Sequence, residues 1–233
     1  MTTHWSVVLS AGSADTTRAQ AALTKLCQAY WYPLYAYVRR RGHSAHDAED
    51  LTQEFFARFL EHHWAGTADR EKGRFRTFLL SALTHFLADE WDKARAQKRG
   101  GGVHPLPLPL DTAETRFGQE PADNHTPEQH FERRWAMTLL EQVLSHLQQE
   151  YAQEGKSALF AALNPCLVGE RTAQPYSALA AKLNLSEAAV KSSVHRLRRR
   201  YRQLLRDEIA QTVAGPAEVE AEVRHLAAVL AQR

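Results

Sequence analysis

Apolar positions recur along this chain at steps of three and four, the period of a helix packed on one face. From Thr17 to Arg41 the stripe is Leu23, Leu26, Cys27, Tyr30, Trp31 and Leu34. Pro33 interrupts it and predicts a kink, or two helices meeting near Trp31. From Ser44 to His62, Leu51, Phe55 and Phe59 form the stripe, with Ser44 and Asp47 in capping-box spacing at its start. The next period, Phe75 to Lys98, runs through Phe75, Phe78, Leu79, Ala82, Leu83, Phe86, Leu87 and Trp91. Thr126, Pro127 and Gln129 then supply a cap, a first-turn proline and a capping-box partner. That helix is expected to continue to Gln153 through Phe131, Trp135, Leu139, Val143 and Leu147, with a shorter one at Ala158 to Leu163. After Gly215 and Pro216, Val219, Val223, Leu226 and Leu230 predict a last amphipathic helix that packs back on the body. The expectation is an all-α fold.

Gly100 to His125 breaks the pattern. Its alternating prolines favour extended backbone and predict a linker over 101–126. About 25 residues at about 3.1 Å each reach on the order of 75 Å. Two turns of B-DNA span roughly 70 Å, so such a tether permits two modules to engage separate DNA elements. The 233 residues, 44% of them apolar, suffice for two domains without disulfide staples. Cys27 and Cys166 are distant singles, which suits a reducing compartment and gives no structural zinc pattern. A start without a basic, apolar leader and the lack of any long apolar run lead to the expectation of a cytoplasmic chain without membrane insertion.

A net charge of +2 says little, but its distribution is uneven. Basic residues gather at Arg39 to Arg41, Lys93 to Arg99 and Lys191 to Arg206, and acidic ones at Asp47 to Glu54. The stretch from Tyr176 to Arg206 reads as a helix, a turn at Asn184 and a long basic helix capped by Ser186. Val190, Val194, Leu197, Tyr201 and Leu204 form its packing stripe; Lys191, His195, Arg198 and Arg202 lie beside it. This is the pattern of a helix-turn-helix whose small, polar first turn enters a major groove.

Val190-Lys191-Ser192 followed by His195 and Arg196 resembles the end of the GTVKSRLHRAR segment of sigma region 4, in bacterial RNA polymerase sigma factors of the extracytoplasmic-function (ECF) group. On that resemblance Lys191, Ser192, Ser193, His195, Arg196 and Arg199 read the minus-thirty-five element. Ala189 and Ser193 depart from the usual Thr and Arg, so base preference does not carry over. The run DAEDLTQEFF resembles sigma region 2.2, written DAEDxxQExF, which docks on the clamp helices of the polymerase largest subunit. Asp47, Asp50, Gln53, Glu54 and Phe56 are therefore the candidate polymerase contacts. The run from Phe75 to Arg99 resembles regions 2.3 and 2.4, FRxWLxxIARNxAIDxxRR, with Asp89 matching and His85 in place of the family asparagine. His85, Asp89, Lys93 and Arg95 become the minus-ten candidates, where a flipped base is held by stacking and a basic groove.

The resemblance implies sigma region 2 over 17–100, the linker over 101–126, region 4 with its helix-turn-helix over 127–210, and a C-terminal helix over 215–233. It implies an alternative sigma factor that binds core RNA polymerase and promoter DNA, with no cofactor, no metal and no catalysis of its own. A separate anti-sigma factor or regulatory kinase would control it. A stand-alone helix-turn-helix regulator would not need the acidic face. An HD-type metal phosphohydrolase is suggested by His46-Asp47, although helix capping already accounts for that aspartate.

Overall fold

The computed structural model describes residues 29–62, 64, 73–96, 110–118, 125–167, 175–213 and 215–231. Among them every regular element is helical, in agreement with the all-α expectation. The α-helices are residues 29–40 (α1), Ala45–Glu61 (α2), Phe75–Ala96 (α3), Leu110–Gly118 (α4), Pro127–Gln153 (α5), Ser157–Leu163 (α6), Tyr176–Leu183 (α7), Glu187–Ala210 (α8) and Val219–Ala231 (α9). Short 3-10 turns lie at Asn164–Cys166 and Pro216–Glu218. The expected helix from Thr17 lies outside the described residues as far as 28.

The starts of α2, α5 and α8 follow from side chains that satisfy backbone groups left open in the first turn. The Asp47 amide donates to Ser44 Oγ at 3.1 Å, and Ser44 Oγ donates to Asp47 Oδ2 at 2.7 Å. Thr126 and Gln129 cap each other reciprocally, with the Thr126 amide on Gln129 Oε1 at 2.8 Å and the Gln129 amide on Thr126 Oγ1 at 3.3 Å. Asn184 takes the left-handed conformation, φ 53° and ψ 46°, which ends α7 and lets the Leu185 amide reach the Ala180 carbonyl at 3.0 Å. Ser186 Oγ then accepts from the Ala189 amide at 3.2 Å and opens α8.

The chain forms two compact units, Met1–Thr138 with Ile209–Arg233, and Leu139–Glu208. In the first, α1 is buried nearly all round: Tyr30, Leu34, Tyr37 and Val38 are each at most 1% exposed. A helix apolar on every face has to sit inside the fold. Burying each of these side chains contributes roughly 1.5–3 kcal/mol, which offsets the backbone hydrogen bond that Pro33 cannot make. The helical assignment therefore runs unbroken from 29 to 40, and no second helix begins near Trp31. An aromatic cluster joins the neighbouring helices, with Phe55 5.7 Å from Phe86, Phe59 6.3 Å from Phe75 and Tyr30 5.7 Å from Phe75. Trp135 of α5 donates its indole N–H to the Tyr30 hydroxyl at 3.2 Å.

Two additions to this unit depart from the sequence reading or extend it. The expected linker contains α4, which docks on α1. Arg39 makes a bidentate contact to Glu114 (3.1 and 2.8 Å), the Tyr35 hydroxyl donates to the same carboxylate, and Arg39 lies 4.7 Å from the Phe117 ring. Proline spacing before residue 110 says nothing of these partners, which is why extended backbone was expected throughout. At the other end α9 packs back as its stripe predicts, with Leu226 5% exposed. Glu222 is fully buried, 2.7 Å from Arg76 Nη1 and 2.5 Å from Arg74 Nη2. These are ion pairs with bent geometry, since neither Glu222 oxygen makes an aligned hydrogen bond. Arg76 also contacts Glu132 at 2.9 Å and lies 4.1 Å from the Trp135 ring.

The second unit has its core in Leu139, Val143, Leu147, Phe160, Leu163, Leu179, Val190, Val194 and Leu197, all at most 5% exposed. Two polar ties fix α8 within it. Arg198 donates twice to the Cys166 carbonyl, at 3.0 and 2.6 Å. Arg200 meets Glu150 through two contacts of 2.8 and 2.5 Å, and that guanidinium holds the Glu150 carboxyl below its ordinary range.

Candidate nucleic-acid and partner interfaces

In the second unit α7 and α8 are joined by a three-residue turn, 184–186, and α8 projects its first turns to solvent. Lys191, Ser192, His195, Arg196 and Arg199 are exposed. Ser193 is 6% exposed and is corrected from a base-reading candidate to an internal one. Its position beside Val194 on the packing side turns it inward, and its hydroxyl accepts from Arg196 Nη2 at 3.1 Å. Ser192 Oγ takes Arg196 Nη1 at 3.0 Å, so two serines hold one guanidinium on the helix surface. Arg198, grouped with the basic face by spacing, is turned instead to the Cys166 carbonyl.

In the first unit a cleft of about 590 Å³ opens between the end of α2 and the middle of α3. His85 and Asp89 both line it, together with Phe78, Arg58, His62 and Trp64. The rings of His62 and Trp64 stack at 5.8 Å with 22° between their planes. Phe75 and Phe86 are core residues, 3% exposed, whereas Phe78 is only partly covered and contributes to the wall. Arg58 braces α2 against α3, with Nη1 2.8 Å from Glu90, Nε 2.7 Å from Glu54, and the guanidinium 5.2 Å from the Phe86 ring. Burial works against its charge, but the two carboxylates win and raise its pKa. The cleft thus offers flat rings for stacking and an acidic hydrogen-bond acceptor, a chemistry suited to a planar, donor-bearing group such as a base. Trp64 belongs to none of the apolar stripes or motifs read from the sequence. Lys93 and Arg95 belong to α3, but their side chains lie outside the described residues.

The five acidic-face candidates on α2 do not share one surface. Asp47 and Asp50 are exposed and line a second cleft, of about 820 Å³, facing α3. Asp50 lies 2.9 Å from His46, whose pKa is raised by its own backbone hydrogen bond and then by Asp50. Glu54 is 22% exposed and engaged by Arg58. Gln53 and Phe56 are 7% and 2% exposed and are corrected from surface contacts to buried ones. Phe56 packs 6.2 Å from Trp31, a partner on α1 that the spacing within α2 does not reveal. His46 pairs with Asp50 of its own helix, and Asp47 takes part in the cap made by Ser44 just before it. No group of three metal-ligating side chains occurs among the described residues.

These features define a helical domain with two clefts between its helices and a second unit that carries a cationic helix. Residues 26–97 match the family described as Sigma-70 region 2. That match covers α1 to α3, the helices that build both clefts, and supports a sigma factor, the class that acts in promoter recognition and transcription initiation. No curated protein and no solved structure matches the chain. No helix among the described residues is long and apolar enough to cross a membrane.

Proposed function

We propose that the chain is an alternative, ECF-type sigma factor that brings core RNA polymerase to specific promoters. The observation that carries this reading is the coincidence of the region 2 match with a cleft in which His85 and Asp89 stand together beside stacked rings. In this reading residues 17–100 act as region 2 and 127–210 as region 4. Asp47, Asp50 and Glu54 face the clamp helices of the polymerase largest subunit, and the cleft holds a base of the opened minus-ten element. Lys191, Ser192, His195, Arg196 and Arg199 form the minus-thirty-five reader of a helix-turn-helix, the phosphates setting register and the base edges setting preference. The protein supplies binding and positioning in the cytoplasm, without metal, cofactor or catalysis, and nucleotide addition belongs to the polymerase. A separate anti-sigma factor or kinase acts on it. Run-off transcription with core polymerase, with and without the chain, on promoter fragments from its own genome tests the proposal.

A further inference from the structure

Ser193 is 6% exposed, yet its hydroxyl has a charged partner and accepts from Arg196 Nη2 at 3.1 Å. Ser192, one residue earlier and exposed, accepts from Nη1 of the same guanidinium at 3.0 Å. The spacing accounts for this arrangement. Residues three and four positions apart are neighbours on a helix, and a long side chain leans back toward the N-terminus. Arg196 therefore lies over the turn before it, where its two terminal nitrogens meet one serine from the surface and one from the inside. A buried hydroxyl is costly to leave without a partner, so the inner bond is the harder of the two to give up to water. A guanidinium has five N–H donors in one plane. With one N–H of each terminal nitrogen engaged, the edge formed by Nε and Nη2 still presents two parallel donors. That edge matches the O6 and N7 acceptors of guanine in a major groove.

We infer that Ser193 is a positioning residue for DNA reading: it holds Arg196, with Ser192 in support, as a preset two-donor reader of one guanine in the upstream element. The inference rests on the proposed function, which supplies the element, and deepens it by separating the base reader from the cations around it. Lys191, a flexible point charge, suits a phosphate and cannot match a base edge with a rigid fork. Ser193 stands where the resembled region 4 segment has arginine, so this buried hydroxyl belongs to the reading helix of this chain in particular. Ordering Arg196 in the free protein removes part of the rotamer entropy lost on binding and fixes the direction of its donors. Discrimination between bases gains more from that than general affinity does.

The test selects from duplexes randomised over the upstream element, using the full chain with core polymerase, and repeats the selection with Ser193→Ala and Arg196→Lys. The parent should enrich a guanine at one position. Arg196→Lys keeps the charge and loses the fork; it should relax that position about tenfold or more while the slope of affinity against salt changes by less than about half a unit. Ser193→Ala should relax the same position and no other, by about threefold or more. A Ser193→Ala profile equal to the parent's, or relaxed alike at every position, would overturn the inference. So would an Arg196→Lys profile equal to the parent's, because a phosphate contact tolerates lysine. Thermal unfolding is followed for both variants, and a Ser193→Ala chain that does not fold would make the hydroxyl a folding contact and end the inference. A parent that enriches a sequence without a guanine at the Arg196-sensitive position overturns this inference alone. A parent that enriches no sequence with core polymerase removes the proposed function, and this inference with it.

Discussion

Arg196 and Lys191 sit on the exposed side of α8, and what each does is set by its immediate partners. Arg196 is braced by Ser192 and Ser193, which orders its guanidinium before any ligand arrives. Replacing Lys191 or Arg196 with alanine should weaken binding to the upstream promoter element, and loss of one phosphate contact should flatten the salt dependence by about one unit. Affinity measured across a salt series checks both effects, and unchanged affinity would mean the reading helix is misassigned. Glu222 makes a different kind of prediction. Its carboxylate and the Arg76 guanidinium are both buried, at 0% and 1% exposure, so removing Glu222 leaves Arg76 with Glu132 as its remaining carboxylate contact. Glu222→Ala should cost about 1–3 kcal/mol, read as a shift in urea unfolding followed by a probe in the first unit. The caps at Ser44, Thr126, Asn184 and Ser186 were legible because each acts within a few residues of itself. The burial of Gln53, Phe56 and Ser193, and the Glu222 to Arg76 pair, were not. Each depends on a neighbour brought in by the fold, and a periodicity that places charge outside has no means to show a buried glutamate.

Among the elements, α4 shows the same limit most plainly. Its sequence follows a proline-rich run and has no long stripe, yet Glu114 receives Arg39 and Tyr35 while Ala113 is buried at 3%. The Arg39 hydrogen bonds outweigh desolvation and hold the Glu114 carboxyl below its ordinary pKa. A depressed folded-state pKa means that this contact contributes fully above the unfolded glutamate value, about 4.3, and is lost as pH falls through the folded value. Glu114→Gln at neutral pH should therefore resemble the parent in acid, with α4 less protected in hydrogen exchange. Equal protection in parent and variant would show that Phe117 and Ala113 hold the helix without the ion pair. The 25-residue reach estimate for the linker must be shortened accordingly, because nine of its residues, Leu110–Gly118, are helical. By contrast α2, α3 and α8 were predicted within a few residues, since long amphipathic stripes with caps specify themselves locally.

At the scale of the whole chain, Leu139–Glu208 forms one unit while residues on both sides of it belong to the other. A reading in chain order expects one module after another and a last helix packed on the body, without saying on which module. The return of Ile209–Arg233 to the first unit depends on α9 finding Arg74 and Arg76, a long-range match that local pattern does not encode. The functional reading relies on both units acting in one complex: the matched segment, 26–97, to engage polymerase and the opened strand, and the basic helix to engage duplex. Run-off transcription tests this most directly. With core polymerase and promoter fragments from the chain's own genome, transcripts of defined length should appear only when the chain is added, and His85→Ala with Asp89→Ala should reduce them while leaving upstream duplex binding intact. Transcription no different from core polymerase alone, on fragments the chain demonstrably binds, would contradict the account.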